Sequence, residues 1–324
     1  MVTIRAATLA QHQMIKSSAL RTQSNMNELQ VQVASGKKAQ AFSGIAEDAT
    51  RLVNLKSELA QAEQFLQNIT ITEKRLDLMA LALDQIEDIA RKARTDIATA
   101  FNGSQADDVK LASLMQFNLD QVVDILNIKD DSRFLFAGGE VNKRPVDLNN
   151  GVYTTPVVTG PPNPTFSQTT DIGYYEGDAT IQSTRIEENF DVSYGVVATE
   201  TAFEKLIRTL DNVSNVTFTD PITDNERTFL TAAVAELTEL IDNNGVDNTL
   251  ADLRADIGLD QNALESIKGK HTNFLKFAQD SIAKIENIDV AEAVTALHFE
   301  QIQLEASFTT IARLQTLSLS NFLR

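Results

Sequence analysis

One helical pattern over residues 45–103 constrains the fold of this chain more than any other feature. Apolar residues recur there at steps of three, four or seven, and no proline interrupts them: Leu52, Leu55, Leu59, Ala62, Leu66, Ile69, Leu76, Ala80 and Leu83. Such spacing places the apolar side chains in one stripe along a helix. Sustained over this length, the stripe is typical of a long helix in a coiled-coil-like contact.

The rest of the chain predicts more helix around one small β-rich insertion. A second helix is expected over about 106–129, and the short turn before it makes it antiparallel to the first. Residues 132–197 are rich in Thr, Val, Tyr and Gly and hold five of the six prolines, which predicts short strands joined by turns. Helical spacing then returns, and near residues 287–289 a break precedes a last helix.

The predicted fold is therefore mostly α with a small β insertion. Long antiparallel helices form a coiled-coil bundle, the N- and C-terminal helices are paired, and a β-rich outer domain is inserted mid-chain. Five segments are expected: a core helix and linker at 1–44, the first half of the bundle at 45–131, the outer domain at 132–197, the second half of the bundle at 198–288, and a C-terminal core helix at 289–324.

Both ends of the chain are apolar and almost without charge. Residues 1–34 carry a net charge of +2 and residues 290–324 a net of −1, although the whole chain carries −17. The N-terminal apolar residues proposed for assembly are Ile4, Leu9, Met14, Ile15, Leu20, Met26 and Leu29. Their C-terminal counterparts are Val290, Val294, Leu297, Leu304, Phe308, Ile311, Leu314, Leu317, Phe322 and Leu323. Solvated helices normally carry Lys and Glu on their outer face, so this pattern favours ends packed by other chains over a frayed tail.

The terminal helices gain little stability on their own. Burying a large apolar side chain contributes roughly 1.5–3 kcal/mol, whereas ordering one residue's backbone costs about 1–2 kcal/mol. A helix pair buries only one face of each helix and barely offsets that cost. We therefore expect both ends to be disordered in the free monomer and to become ordered when other chains cover them. Sharp, dispersed NMR signals from residues 300–324 of a dilute monomer would contradict this expectation.

The composition argues against several classes of function. No cysteine occurs, which excludes disulfides, thiol catalysis and cysteine-ligated zinc. The three histidines, His12, His271 and His298, lack metal-site spacing, and no catalytic constellation is visible, so neither an enzyme nor a cofactor is expected. The acidic net charge disfavours nucleic acid. No apolar run is long enough to enter a membrane, and no cleaved signal peptide is expected at the start.

Several stretches together resemble one protein family. The stretch "VQVASGKKAQAFSGIAEDATRLVNLKSEL" carries Ser35, Gly36, Lys37 and Asp48 at matching positions, and "ARKARTDIATAFNG" carries Arg94, Asn102 and Gly103. "SRFLFAGGEVNKRPV" adds Phe136 and Gly138, and the last forty residues are similar to the family's ending. On these motifs the chain resembles the bacterial flagellin family over nearly its whole length.

The resemblance implies a structural subunit of the bacterial flagellum. Such proteins leave the cell through the flagellar type III export channel without a cleaved signal, usually with an export chaperone, and lie outside the cell. Their partners are copies of themselves and other flagellar axial proteins, which they contact through their terminal helices. The "SRFLFAGG" stretch and the ending favour the branch at the hook–filament junction, with filament flagellin as the alternative. A coiled-coil adaptor that binds partner helices without polymerising is a further alternative.

Overall fold

The structure, a computed structural model, describes residues 2–102, 108–156, 158, 163–219, 221–242 and 248–322, with the backbone alone at 2–12, 101–102, 108–109 and 314–322. Its α-helices are α1 Val2–Ser35, α2 Ala46–Asn102, α3 Asp108–Leu126, α4 Thr201–Ser214, α5 Asp224–Ile241, α6 Leu250–Glu286 and α7 Val290–Phe322. A 3₁₀ turn precedes α2 at Phe42–Ile45. Four short strands are described: β1 Lys129–Asp130, β2 Arg133–Phe134, β3 Gln182–Glu187 and β4 Phe190–Tyr194.

This arrangement confirms the predicted fold class of long helices with a small β insertion. The stripe that predicted α2 is buried along much of its length, with Leu52, Ile69, Leu76 and Leu83 each almost fully covered. The strands pair as two antiparallel two-stranded sheets, β1 with β2 and β3 with β4. Within 151–166, where the sequence predicted strands, the described residues contain none.

The chain divides into two compact units. The terminal unit comprises Met1–Ala62 and Asn273–Arg324, and the central unit comprises Glu63–Thr272. Helices α2 and α6 each contribute residues to both units. The five-segment division drawn from composition remains a prediction.

In the central unit, α2 and α6 run antiparallel and are joined by a ladder of polar pairs. Lys268 Nζ lies 2.5 Å from Glu73 Oε2, and Gln261 Nε2 donates to Asp77 Oδ1 at 2.7 Å. Glu73 interrupts the apolar stripe of α2 in the sequence, and its pairing with Lys268 explains why a charge is tolerated there. The two helices therefore meet through charged edges as well as through apolar side chains.

The core of the central unit is formed by apolar side chains of α2, α3, α4, α5 and α6, together with the residues between α3 and α4. Its largest fully buried side chains include Phe136, Phe203 and Met115. The rings of Phe136 and Phe203 meet edge to face with their centroids 5.9 Å apart, an arrangement that favours aromatic pairs. The residues after α3 are thus fixed against α4 even though they form little regular sheet.

In the terminal unit, α1 packs along α7, as the sequence predicted. Asn25 Nδ2 donates to Glu300 Oε1 at 3.2 Å, 275 residues apart in the chain. Below this pair, α2 and α6 share a small buried cluster of apolar side chains: Leu52, Leu55, Ala278 and Ile285.

Candidate assembly surface

The surface that the sequence assigned to assembly lies on α1 and α7, and it begins where the two helices meet their linkers. Gly36 ends α1 with a φ of +70°, a conformation that glycine adopts without strain. Its N–H donates to Gln32 O at 2.7 Å, and its carbonyl accepts from Ile288 N at 3.0 Å. Lys38 N donates to Glu286 O at 2.7 Å. We call residues 36–38 and 286–288 together the linker bridge.

The carboxylate of Glu286, at the end of α6, forms ion pairs with two lysines beside the linker bridge. Lys56 Nζ contacts Glu286 Oε1, and Lys37 Nζ lies 3.7 Å from Glu286 Oε2. The hydrogen bond from Lys56, aided by the charges of both lysines, lowers the pKa of the Glu286 carboxyl below its ordinary value against the opposing effect of burial. Glu286 therefore stays ionised, and its attraction for both lysines persists, over the whole neutral range.

Three of the family-matching residues belong to this region. Ser35 Oγ accepts from Lys37 N at 3.2 Å and from Gln40 Nε2 at 2.7 Å, Gly36 ends α1, and Lys37 pairs with Glu286. Asp48 lies in the first turn of α2, where a negative charge interacts favourably with the helix dipole. Each of these four residues therefore has a local interaction or backbone conformation that accounts for its residue type.

Seven of the seventeen predicted assembly residues are partly covered on the packed helices α1 and α7. These are half-buried: Ile15, Met26, Leu29, Val294, Leu297, Leu304 and Ile311. Ala19, Thr22 and Ala293 are more fully covered on the same faces. The steps of three and seven between the α7 members keep them on one face of the helix. These side chains therefore hold the pair together within one chain.

Other apolar side chains of the pair point to solvent. Met14, Leu20, Val290 and Phe308 from the predicted set are each at least 50% exposed, as are three further residues that the sequence analysis did not single out: Val31, Phe299 and Ile302. Phe299 and Ile302 are three residues apart and share one face of α7, away from the side chains that meet α1. The sequence signal that indicates this exposed pair is the spacing of three residues between two large apolar side chains on a second face of the helix.

The hydroxyl groups of α7 whose side chains the structure describes donate their hydrogen bonds within the helix. Four donate to the carbonyl four residues earlier, at 2.8–2.9 Å: Thr295 to Ala291, Ser307 to Gln303, Thr309 to Glu305 and Thr310 to Ala306. Burying such a hydroxyl leaves no donor without a partner. These four positions can therefore be covered with a small desolvation penalty.

Six predicted residues lie outside the described side chains. The backbones of Ile4, Leu9, Leu314, Leu317 and Phe322 continue the helices, and Leu323 lies outside the described residues altogether. Their part in assembly remains a prediction.

The remaining family-matching residues lie in the central unit. Arg94 NH1 is 3.0 Å from Asp242 Oδ2, and Phe136 is fully buried. Gly138 has a φ of +67°, and a methyl group there would lie 2.2 Å from the carbonyl oxygen of Asp178. Asn102 is the last residue of α2, with only its backbone described, and Gly103 lies outside the described residues. The described positions are explained by packing.

Side chains that could bind a metal ion do not cluster anywhere in the described residues. In the part of the chain that the structure covers, no three His, Asp or Glu side chains form a group able to hold a metal ion. His271 Nε2 lies 2.7 Å from Ile186 O, and its ring stacks at a tilt against Phe65, so it serves packing. No described helix is long and apolar enough to cross a membrane.

Paired terminal helices that expose apolar side chains and carry little charge are typical of a class of protein, the structural subunits of larger assemblies. The sequence matches the bacterial flagellin N-terminal helical region over residues 7–139 and the bacterial flagellin C-terminal helical region over residues 241–323. The chain therefore belongs to the bacterial flagellin family and is a flagellar structural protein.

Two curated relatives span the same length. The chain is 25% identical over 320 residues to flagellar hook-associated protein 3 of Escherichia coli K12, covering 98% of both chains. It is 23% identical to the protein of the same name from Salmonella typhimurium, again covering 98% of both.

Solved structures share the fold. A putative flagellar hook-associated protein from Vibrio parahaemolyticus is 16% identical with a TM-score of 0.57, and the match covers 75% of this chain and 100% of that one. Bacillus cereus FlgL is 15% identical with a TM-score of 0.53, covering 71% of this chain and 99% of its own.

Proposed function

We propose that this protein joins the flagellar axis as a subunit of the hook–filament junction, by packing its α1–α7 pair against copies of itself and against other axial proteins. The observation that carries the proposal is the exposed apolar face of α7 around Phe299 and Ile302. One chain leaves these two side chains about two thirds uncovered. A neighbouring helix would remove that apolar area from water, which favours association.

The charge distribution supports the same role. The residues between the ends carry nearly all of the excess negative charge, while the described part of α7 has few charged residues. Packing the ends together therefore brings few like charges into contact. The acidic remainder keeps its hydration and limits association through other surfaces. Contacts between different faces of successive subunits extend a helical lattice without closing it.

The junction role is favoured over the filament role by the relatives. The curated proteins that match over 98% of both chains are named for the hook-associated protein, and both solved structures belong with them. Filament flagellin remains the second candidate, because the matched helical regions are those of flagellin in general. An adaptor that binds partner helices without polymerising would keep the long helices but would not need the apolar C-terminal segment.

The proposed partners are therefore other subunits of the flagellum, and the role is structural, not enzymatic. The proposal places the protein outside the cell, in the flagellum, after export without a cleaved signal peptide and with the help of an export chaperone. It involves no cofactor, no nucleic acid and no insertion into a membrane.

Electron microscopy of the purified protein tests the proposal. The intact chain and a truncation lacking residues 290–324 are concentrated alone, with hook ends and with short filament seeds. Binding to hook ends or seeds by the intact chain only, without long tubes, is the result expected for a junction subunit. Long tubes from the intact chain would favour the filament subunit. A well-ordered monomer that neither polymerises nor binds would overturn the assembly function and revive the adaptor.

A further inference from the structure

We infer that the linker bridge is a register lock: it holds the base of α1 against the base of α7 in the free chain, so that the terminal pair closes from the bridge towards the chain ends. This inference rests on the proposed function only where it states how the lock affects assembly. The lock itself is a property of a single chain, and it is tested there.

Several hydrogen bonds join the two linkers at the bridge. Two backbone hydrogen bonds cross it, from Lys38 N to Glu286 O and from Ile288 N to Gly36 O. Lys38 Nζ adds a bond to Lys284 O at 2.5 Å. The paired backbone groups form an antiparallel bridge centred on Lys37 and Asn287. A slip of either linker by one residue would break both backbone bonds, so the bridge fixes the register.

The bridge is also anchored to helices that do not depend on other chains. Glu286 is the last residue of α6, and the ion pair with Lys56 ties it to α2. The neighbouring Ile285 is buried in the small cluster shared by α2 and α6, with Leu52 and Leu55. The base of the terminal pair therefore stays attached to an ordered part of the chain when the ends are uncovered.

Away from the bridge, the described contact between α1 and α7 is made by side chains alone. Its apolar members are mostly half-buried, and small residues such as Ala19 and Ala293 make up the more fully covered positions. Opening the pair from the chain ends breaks no backbone hydrogen bond among the described residues, whereas opening it at the base breaks the two backbone bonds of the bridge. Local opening starts where few buried contacts resist it, which predicts fraying that stops at the bridge.

The register chosen at the bridge decides which face of α7 is left for a neighbour. With Ile288 joined to Gly36, Asn25 comes opposite Glu300, and Phe299 and Ile302 are left facing solvent. A different register would rotate or slide another set of side chains into the exposed position. The lock therefore presents one defined surface of a subunit to the next one.

Amide hydrogen exchange of the dilute, full-length monomer tests this inference. In the wild-type chain, the amides of Lys38 and Ile288 are expected to exchange more slowly than those of residues 304–313. Glu286→Gln removes the charge that attracts both lysines and is expected to speed exchange at these two amides roughly two- to fivefold, the range for partly exposed ion pairs. Glu265→Gln, at an exposed position of the same helix, is the matched control and should leave them unchanged.

A distance measurement gives an independent readout of the register. Because the chain has no cysteine, spin labels at Ala34→Cys and Ala291→Cys report only the base of the pair. A narrow distance distribution in the wild-type monomer, broadened by Glu286→Gln, supports the lock. Equal exchange at the bridge and at residues 304–313 in the wild-type monomer, or no response to Glu286→Gln, would overturn it. Since no assembly is involved, either result leaves the test of the flagellar function separate.

Discussion

Removing the exposed apolar pair of α7 should raise the concentration required for assembly and leave the monomer intact. In the free chain, Phe299 is 66% exposed and Ile302 is 65% exposed. Full burial of such a side chain contributes roughly 1.5–3 kcal/mol, so covering the remaining two thirds gives about 1–2 kcal/mol each and about 2–4 kcal/mol for the pair. That free energy corresponds to a roughly 30- to 700-fold rise in the concentration required for assembly when both are replaced by serine.

The assay compares sedimentable polymer or seed-bound protein across a concentration series, with electron microscopy of the pellets. The double variant Phe299→Ser with Ile302→Ser should need at least tenfold more protein than wild type, while its thermal unfolding in dilute solution stays the same. Phe190→Ser is the matched control, since Phe190 is a half-exposed phenylalanine of the central unit and should not affect assembly. Assembly of the double variant at the wild-type concentration would refute the reasoning.

Two further predictions concern the stability of the central unit. Buried Glu226 accepts from the backbone and hydroxyl groups of Thr219 and Thr223, and these bonds outweigh burial and lower its pKa. Its contribution is therefore complete above the unfolded-state pKa, about 4.3, and is lost as the pH falls through the folded-state pKa. Glu226→Gln should cost about 1–3 kcal/mol at pH 7 by denaturant unfolding, with a smaller loss at acidic pH; an equal loss at both would contradict this. Gly138→Ala should destabilise the chain by at least about 2 kcal/mol, through a strained φ and a backbone clash. Gly151→Ala is the control: its φ is +78°, and no atom lies near the added methyl group, so it should lose only the stability that depends on φ. Equal melting temperatures for the two variants would contradict a contribution from the clash at Gly138.

The helices were predictable because their signal is local and periodic. The apolar steps of α2 repeat over 57 residues, far longer than chance spacing produces, and they predicted both its length and its buried face. The pairing of α1 with α7 was predictable from their shared composition, since two uncharged apolar helices favour each other over solvent. Helix ends were also marked by glycine, as at Gly36.

The faces of α7 were less predictable. The helix carries one apolar series that meets α1 and a second apolar pair, Phe299 and Ile302, that stays exposed. Periodicity identifies each series but does not decide which of them packs within the chain. That choice depends on the register set by the linkers, whose bonding groups are about 250 residues apart in the sequence. A contact at such a distance leaves no local pattern in the composition.

The β-rich segment deviated most from its prediction. Its Thr, Val and Tyr content favours strands, but in the described residues much of it is held by side chains bonding to the backbone. Asp178 illustrates this: its carboxylate accepts from Thr180 N at 3.1 Å, and Gly139 N also donates to it. Each such bond satisfies a backbone donor that a strand partner would otherwise take. Sequence propensity counts residue types and does not detect these pairings.

The polar residues on the surface of α7 are mostly uncharged, and this bears on the proposed assembly. A helix surface that faces water in the free chain and is covered in an assembly has two requirements. It must keep the free chain soluble, and it must not carry charges that are costly to bury. Lysine and glutamate would give solubility but would carry a large desolvation penalty on packing. Threonine, with its hydroxyl bonded to the carbonyl four residues earlier, leaves its methyl group for contact, as at Thr295, Thr309 and Thr310. Under the proposed function, the low charge of this helix would allow one surface to serve both states.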